Sequence, residues 1–67
     1  MLVVLLNIDN EHKIECVTDY TFENGVLTFN LDGVSYTFLC DLFRYYSALS
    51  DGVLDCNKLK LIYKTAI

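Results

Sequence analysis

The chain has 67 residues, a net charge of −4 and 54% hydrophobic residues, among them five Tyr and four Phe. This excludes more than one domain, and the apolar content excludes a disordered chain. Nine acids against Lys13 and Arg44 leave residues 1–57 at −7, while residues 58–67 carry Lys58, Lys60, Lys64 and no acid, for +3; a body of that sign speaks against a generic grip on nucleic-acid phosphates.

A chain of this length buries only about 60% of its unfolded surface, so its stability is marginal unless a disulfide, a metal or a partner subunit adds to it. Cys16, Cys40 and Cys56 are odd in number and lack paired spacing, so they are read as free thiols, small buried apolar residues of a cytoplasmic protein. The apolar run Met1–Leu6 has no basic residue before it and is cut short by Asn7 and Asp9. It is too brief for a signal segment or a membrane span.

In chain order, Leu2, Val4, Leu6 and Ile8 alternate onto one face of a first strand, while Val3 and Leu5 make its start apolar on both faces. Asp9–Lys13 is a turn region. A three-residue loop at Asn10–His12 would oppose Ile8 to Ile14 and Leu6 to Cys16, and is preferred to a two-residue loop at Asn10-Glu11, which sets Leu6 against Glu15. The second strand runs from about Lys13 to Thr18, with Tyr20 and Phe22 extending its parity, and Glu23-Asn24-Gly25 signals the next turn.

Val26–Leu39 is the strongest local signal. Two alternating runs flank Asp32-Gly33, the pair suited to a type I′ turn because both central residues need positive φ. That turn opposes Leu31 to Val34, Phe29 to Tyr36 and Leu27 to Phe38 on an apolar face. Thr28 opposes Thr37 and Asn30 opposes Ser35 on the other.

The period then changes. Leu39, Leu42, Phe43, Tyr46 and Leu49 share one helical face, Asp41 caps the start and Ser50-Asp51-Gly52 ends it. After an ambiguous Val53–Asn57, a last strand sets Leu59, Leu61 and Tyr63 inward and Lys58, Lys60, Ile62 and Lys64 outward. The expected class is α+β, mainly β: one domain over residues 1–67, a small twisted antiparallel sheet or partly open barrel of about five strands with one short helix, in the order β-β-β-β-α-β.

Chemistry is sparsely signalled. His12 is the only His and no Cys pair has zinc spacing. Cys56, beside Asp55 and near Lys58, is the thiol expected to be exposed, although an adjacent carboxylate raises a thiol pKa. No catalytic, cofactor or metal site is assigned. A small open sheet leaves unpaired edges, and Tyr20, Phe22, Tyr45 and Tyr46 exceed what a thin core absorbs. The chain is therefore expected to be a non-enzymatic interaction module that forms a homo-oligomer, a dimer favoured. Tyr20, Phe22, Tyr45, Tyr46, Asp41, Asp51 and Asp55 are its interface candidates, and the expected partner is a host protein with a basic surface.

Abundant Phe, Tyr, Asn, Lys and Ile, with scarce Gly, Ala and Arg and no Pro, match an AT-rich genome. The expectation is a phage or mobile-element accessory protein, an inhibitor acting in the host cytoplasm. The alternative is a nucleic-acid binder using Lys58, Lys60 and Lys64 with nearby aromatics as stacking platforms.

Overall fold

The computed structural model describes the backbone of all 67 residues and every side chain except that of Ile8. Eight strands, β1 (Leu2–Ile8), β2 (Glu11–Val17), β3 (Tyr20–Glu23), β4 (Val26–Leu31), β5 (Val34–Leu39), β6 (Leu49–Ser50), β7 (Val53–Asp55) and β8 (Lys60–Ala66), are joined by one helix, α1 (Leu42–Ala48), and a 3₁₀ turn at Cys56–Lys58. The strands form two four-stranded sheets, ordered β2-β1-β7-β6 and β3-β4-β5-β8. The class is α+β, mainly β, as the sequence implies.

The β4–β5 hairpin has the register its turn dictates, Leu31 opposite Val34, Phe29 opposite Tyr36 and Leu27 opposite Phe38. Asp32 and Gly33 both hold positive φ, 52° and 76°. The four central members of that face, Leu27, Phe29, Tyr36 and Phe38, are buried, and Leu31 and Val34 pack against them. Leu2, Val4, Leu6, Val17 and Leu54 of the other sheet join the same cluster, with Cys40, Ala48, Cys56 and Leu59 from the connections. One core thus lies between the two sheets, and each fully buried aliphatic or aromatic side chain contributes about 1.5–3 kcal/mol by leaving water.

Four local readings are corrected. The β1–β2 loop has two residues rather than three: Ile8 pairs with Glu11 and Leu6 with Lys13 around Asp9-Asn10. Both turn residues take positive φ, 50° and 65°, which Asp and Asn tolerate because their short polar side chains bond locally. The one-residue slip turns Cys16 outward beside Val3 and brings Val17, opposite Leu2, into the core. Tyr20 and Phe22 do not extend β2 but form β3, the edge strand of the other sheet, with Tyr20 opposite Phe29 and Phe22 opposite Leu27.

Asp51-Gly52 does not end the helix. It is another turn with paired positive φ, 52° and 77°, and it reverses β6 into β7. The ambiguous Val53–Asn57 segment becomes β7, inserted parallel to β1 with Val3 opposite Val53 and Leu5 opposite Asp55, followed by the start of the 3₁₀ turn. Finally, β8 breaks its alternation. Leu61 opposes Phe38 but Tyr63 opposes Thr37, so Ile62 is the extra residue of a bulge. Lys64 therefore falls opposite Tyr36, its Nζ 5.7 Å from the ring centroid, while Tyr63 moves to the outer face.

Candidate functional site

Helix α1 presents three largely uncovered apolar side chains, Leu42, Phe43 and Tyr46. Asp41 is its N-cap in extended conformation, and its Oδ1 accepts from the Arg44 backbone N–H at 2.7 Å. The second carboxylate oxygen pairs with Arg44 Nη1 at 2.7 Å, and the Asp41 carbonyl accepts from the Tyr45 N–H at 2.9 Å. With seven residues, α1 is too short to persist by propensity. It is held instead by Ala48, which is buried, and by Tyr45, whose ring stacks on Phe22 of β3 with centroids 5.0 Å apart.

This anchorage reverses the expected helical face. Leu42, Phe43 and Tyr46, which the sequence places on one helical face with Leu39 and Leu49, are 65%, 80% and 68% exposed. Leu49, directly after the helix, must enter β6 and pair with Leu54. That strand fixes the rotation of the two preceding turns, so Tyr45 and Ala48 face inward. The missed signal is that Leu42-Phe43 and Tyr45-Tyr46 are adjacent apolar pairs: apolar side chains on both flanks of a short helix cannot all be buried by one contact.

Between α1 and the β3–β4 turn lies a groove of about 650 Å³, lined by Phe22, Leu42 and Phe43 with Glu23, Asn24, Gly25 and Asp41. Its lining contains two carboxylates and neither Lys nor Arg. Tyr46 meets Tyr45 edge to face at 5.5 Å, extending the aromatic surface along the helix. Burial pushes the Tyr45 hydroxyl above its usual range, with Tyr20 and Tyr46 adding to the effect.

The other interface candidates lie apart from this groove or line its approach. Tyr20 is 38% exposed on the edge strand. Asp51 occupies the β6–β7 turn. Asp55 is committed locally, its Oδ1 accepting from Asn57 N–H at 3.0 Å and Asn57 Nδ2 at 2.9 Å. Lys58, Lys60 and Lys64 do not share one face. Lys58 belongs to the 3₁₀ turn, Lys60 lies opposite Leu39, and the bulge sends Lys64 to the side of Tyr36.

The exposed thiol is Cys16 rather than Cys56, while Cys40 and Cys56 are buried. Cys56 is 3% exposed, and its pKa is pushed up to about 12 by burial first and by Asp55 second. Cys40 is also buried and raised by burial and Asp41, whereas Cys16 is exposed. A second cavity, about 310 Å³, opens at the end of the core between Leu6, Tyr36, Phe38, Leu59, Leu61 and Lys64. Among the described residues no three His, Cys, Asp or Glu side chains converge as a metal site, and no helix is long and apolar enough to cross a membrane. No protein-family model, curated protein or solved structure matches the chain.

Proposed function

We propose that this chain is a small acidic, non-enzymatic protein-interaction module. In this reading it is an accessory protein, of phage or mobile-element type, that binds or inhibits a host protein. The observation that supports it is the Leu42, Phe43 and Tyr46 surface beside a groove rimmed by Glu23 and Asp41. Exposed aromatics near a concave apolar surface are the anchors of protein interfaces. The carboxylates select a segment that combines apolar side chains with Lys or Arg and repel acidic competitors. Arg44 pairs with Asp41 and offsets that carboxylate, so Glu23 supplies the net negative charge of the rim.

Synthetic peptides provide the test. Fluorescence anisotropy against a basic amphipathic peptide is expected to give saturable binding that weakens at least tenfold, about 1.4 kcal/mol, in Phe43→Ser. An acidic peptide of the same apolar content is expected not to bind. Equal affinity of wild type and Phe43→Ser for the basic peptide would overturn the assignment. The nucleic-acid alternative is read in the same assay: oligonucleotide binding that falls steeply with salt and depends on Lys58 and Lys60 would replace it.

A further inference from the structure

We infer that copies of this chain join head to tail, the free edge of β8 in one copy pairing with the free edge of β3 in the next. Both are the terminal strands of the sheet ordered β3-β4-β5-β8. Every neighbouring pair in that sheet is antiparallel, so β8 runs opposite to β3. A second copy that docks its β3 against β8 therefore continues the antiparallel alternation. It also keeps its core face on the same side as that of the first copy.

The two edges are complementary in charge. Lys60 and Lys64 of β8 and Lys58 just before it lie in a segment with no acid, whereas Asp19 precedes β3 and Glu23 ends it. An antiparallel register that opposes Lys60 to Glu23 of the next copy also opposes Leu61 to its Phe22. Leu61 and Phe22 both lie on the core side of their sheets, opposite Phe38 and Leu27 respectively. The same register sets Ile62 opposite Thr21.

All seven residues of β8 are exposed, with Leu61, Ile62 and Tyr63 at 45%, 52% and 59%. A strand that offers unpaired backbone groups and uncovered apolar side chains gains both hydrogen bonds and burial by edge addition. Pairing β8 with β8 would bring the lysines of two copies together. Pairing it with β3 brings them to carboxylates, and this difference selects the heterologous contact. Heterologous contacts close into rings where the rotation permits and extend as filaments where it does not.

Charge reversal in two separate variants tests the pairing. Lys60→Glu with Ile62→Glu makes the β8 edge acidic, and Thr21→Lys with Glu23→Lys makes the β3 edge basic. All four sites are exposed, and far-UV circular dichroism with thermal melting confirms that each variant is folded. Light scattering is expected to show assemblies for wild type, monomers for each folded variant alone, and restored assembly in an equimolar mixture. Monomeric wild type at its highest soluble concentration, assembly of either variant alone, or a mixture that stays monomeric would each overturn the inference. A dimer of the β3 variant alone would assign the contact to β8 with β8 instead. The contact shares Phe22 and Glu23 with the groove, and the β8 variant separates the two assignments because it leaves Phe22, Glu23, Leu42 and Phe43 unchanged: in it, peptide binding reports on the groove and mass reports on the edges.

Discussion

The ring of Phe22 stacks on that of Tyr45 with centroids 5.0 Å apart and planes 26° from parallel, tying the edge strand β3 to helix α1. Neither a four-residue edge strand nor a seven-residue helix is stable alone. Phe22→Ala is expected to cost about 2 kcal/mol, less than the loss of a fully buried Phe because Phe22 is only half-buried. Hydrogen exchange should accelerate in α1 before it does in the β4–β5 hairpin. A urea midpoint equal to wild type, with α1 still protected, would show that the helix is held by something else.

Four turns place two successive residues at positive φ, and they differ in how well their residues suit it. Gly33 at φ 76° has open space where a side chain would stand, so Gly33→Val meets backbone strain and no clash. Its expected cost is about 1 kcal/mol or more, a fall of roughly 4–8 °C in melting temperature for a domain of this size. At Asn10, φ 65°, Asn10→Gly is expected to go the other way and stabilise by about 0.5 kcal/mol. Equal melting temperatures for Gly33→Val and wild type would rule out the strain.

The three thiols should separate by reactivity. Cys16 is exposed, whereas Cys40 and Cys56 are buried. Iodoacetamide under native conditions is expected to add one carbamidomethyl group, at Cys16, and three only after denaturation. Native labelling of Cys56, read by peptide mass mapping, would contradict its burial.

Alkaline pH should weaken the fold through Cys56. Its folded pKa is raised from 9.0 to about 12, so between these values the unfolded chain loses the proton and the folded chain keeps it. The stabilisation is complete below pH 9.0 and is lost as pH rises toward 12. Lys13, raised chiefly by its hydrogen bond to Asp32, acts in the same direction above its ordinary value of 10.5. Denaturant midpoints across this range should fall for wild type and fall less for Cys56→Ala. An identical slope in that variant would place the alkaline transition elsewhere.

Where local chemistry and alternation agreed, the chain was readable. Asp32-Gly33 fixed the hairpin and every pair in it, because turn geometry and two-residue polarity each allow one register. Asp41 was readable as a cap for the same reason: its carboxylate meets the N–H of Arg44 within the same turn. The Asp9-Asn10 turn is not legible in the same way because it achieves paired positive φ without glycine, and a one-residue shift there exchanges Cys16 for Val17. The surface proposed for partners is legible only in part: Phe22, Asp41 and Tyr46 stand out as interface candidates, whereas Leu42 and Phe43 show only as members of a shared helical face.

What the amino-acid order determined by itself is the mainly β class, the central hairpin and the capped helix start, all products of contacts a few residues apart. Tertiary structure alone decided the parallel insertion of β7 beside β1, the bulge at Ile62 and the rotation of α1. These depend on partners distant in sequence: Val53 finds Val3, Leu61 finds Phe38, and Tyr45 finds Phe22. A local period states which side chains share a face, but only the surface they meet decides whether that face is buried.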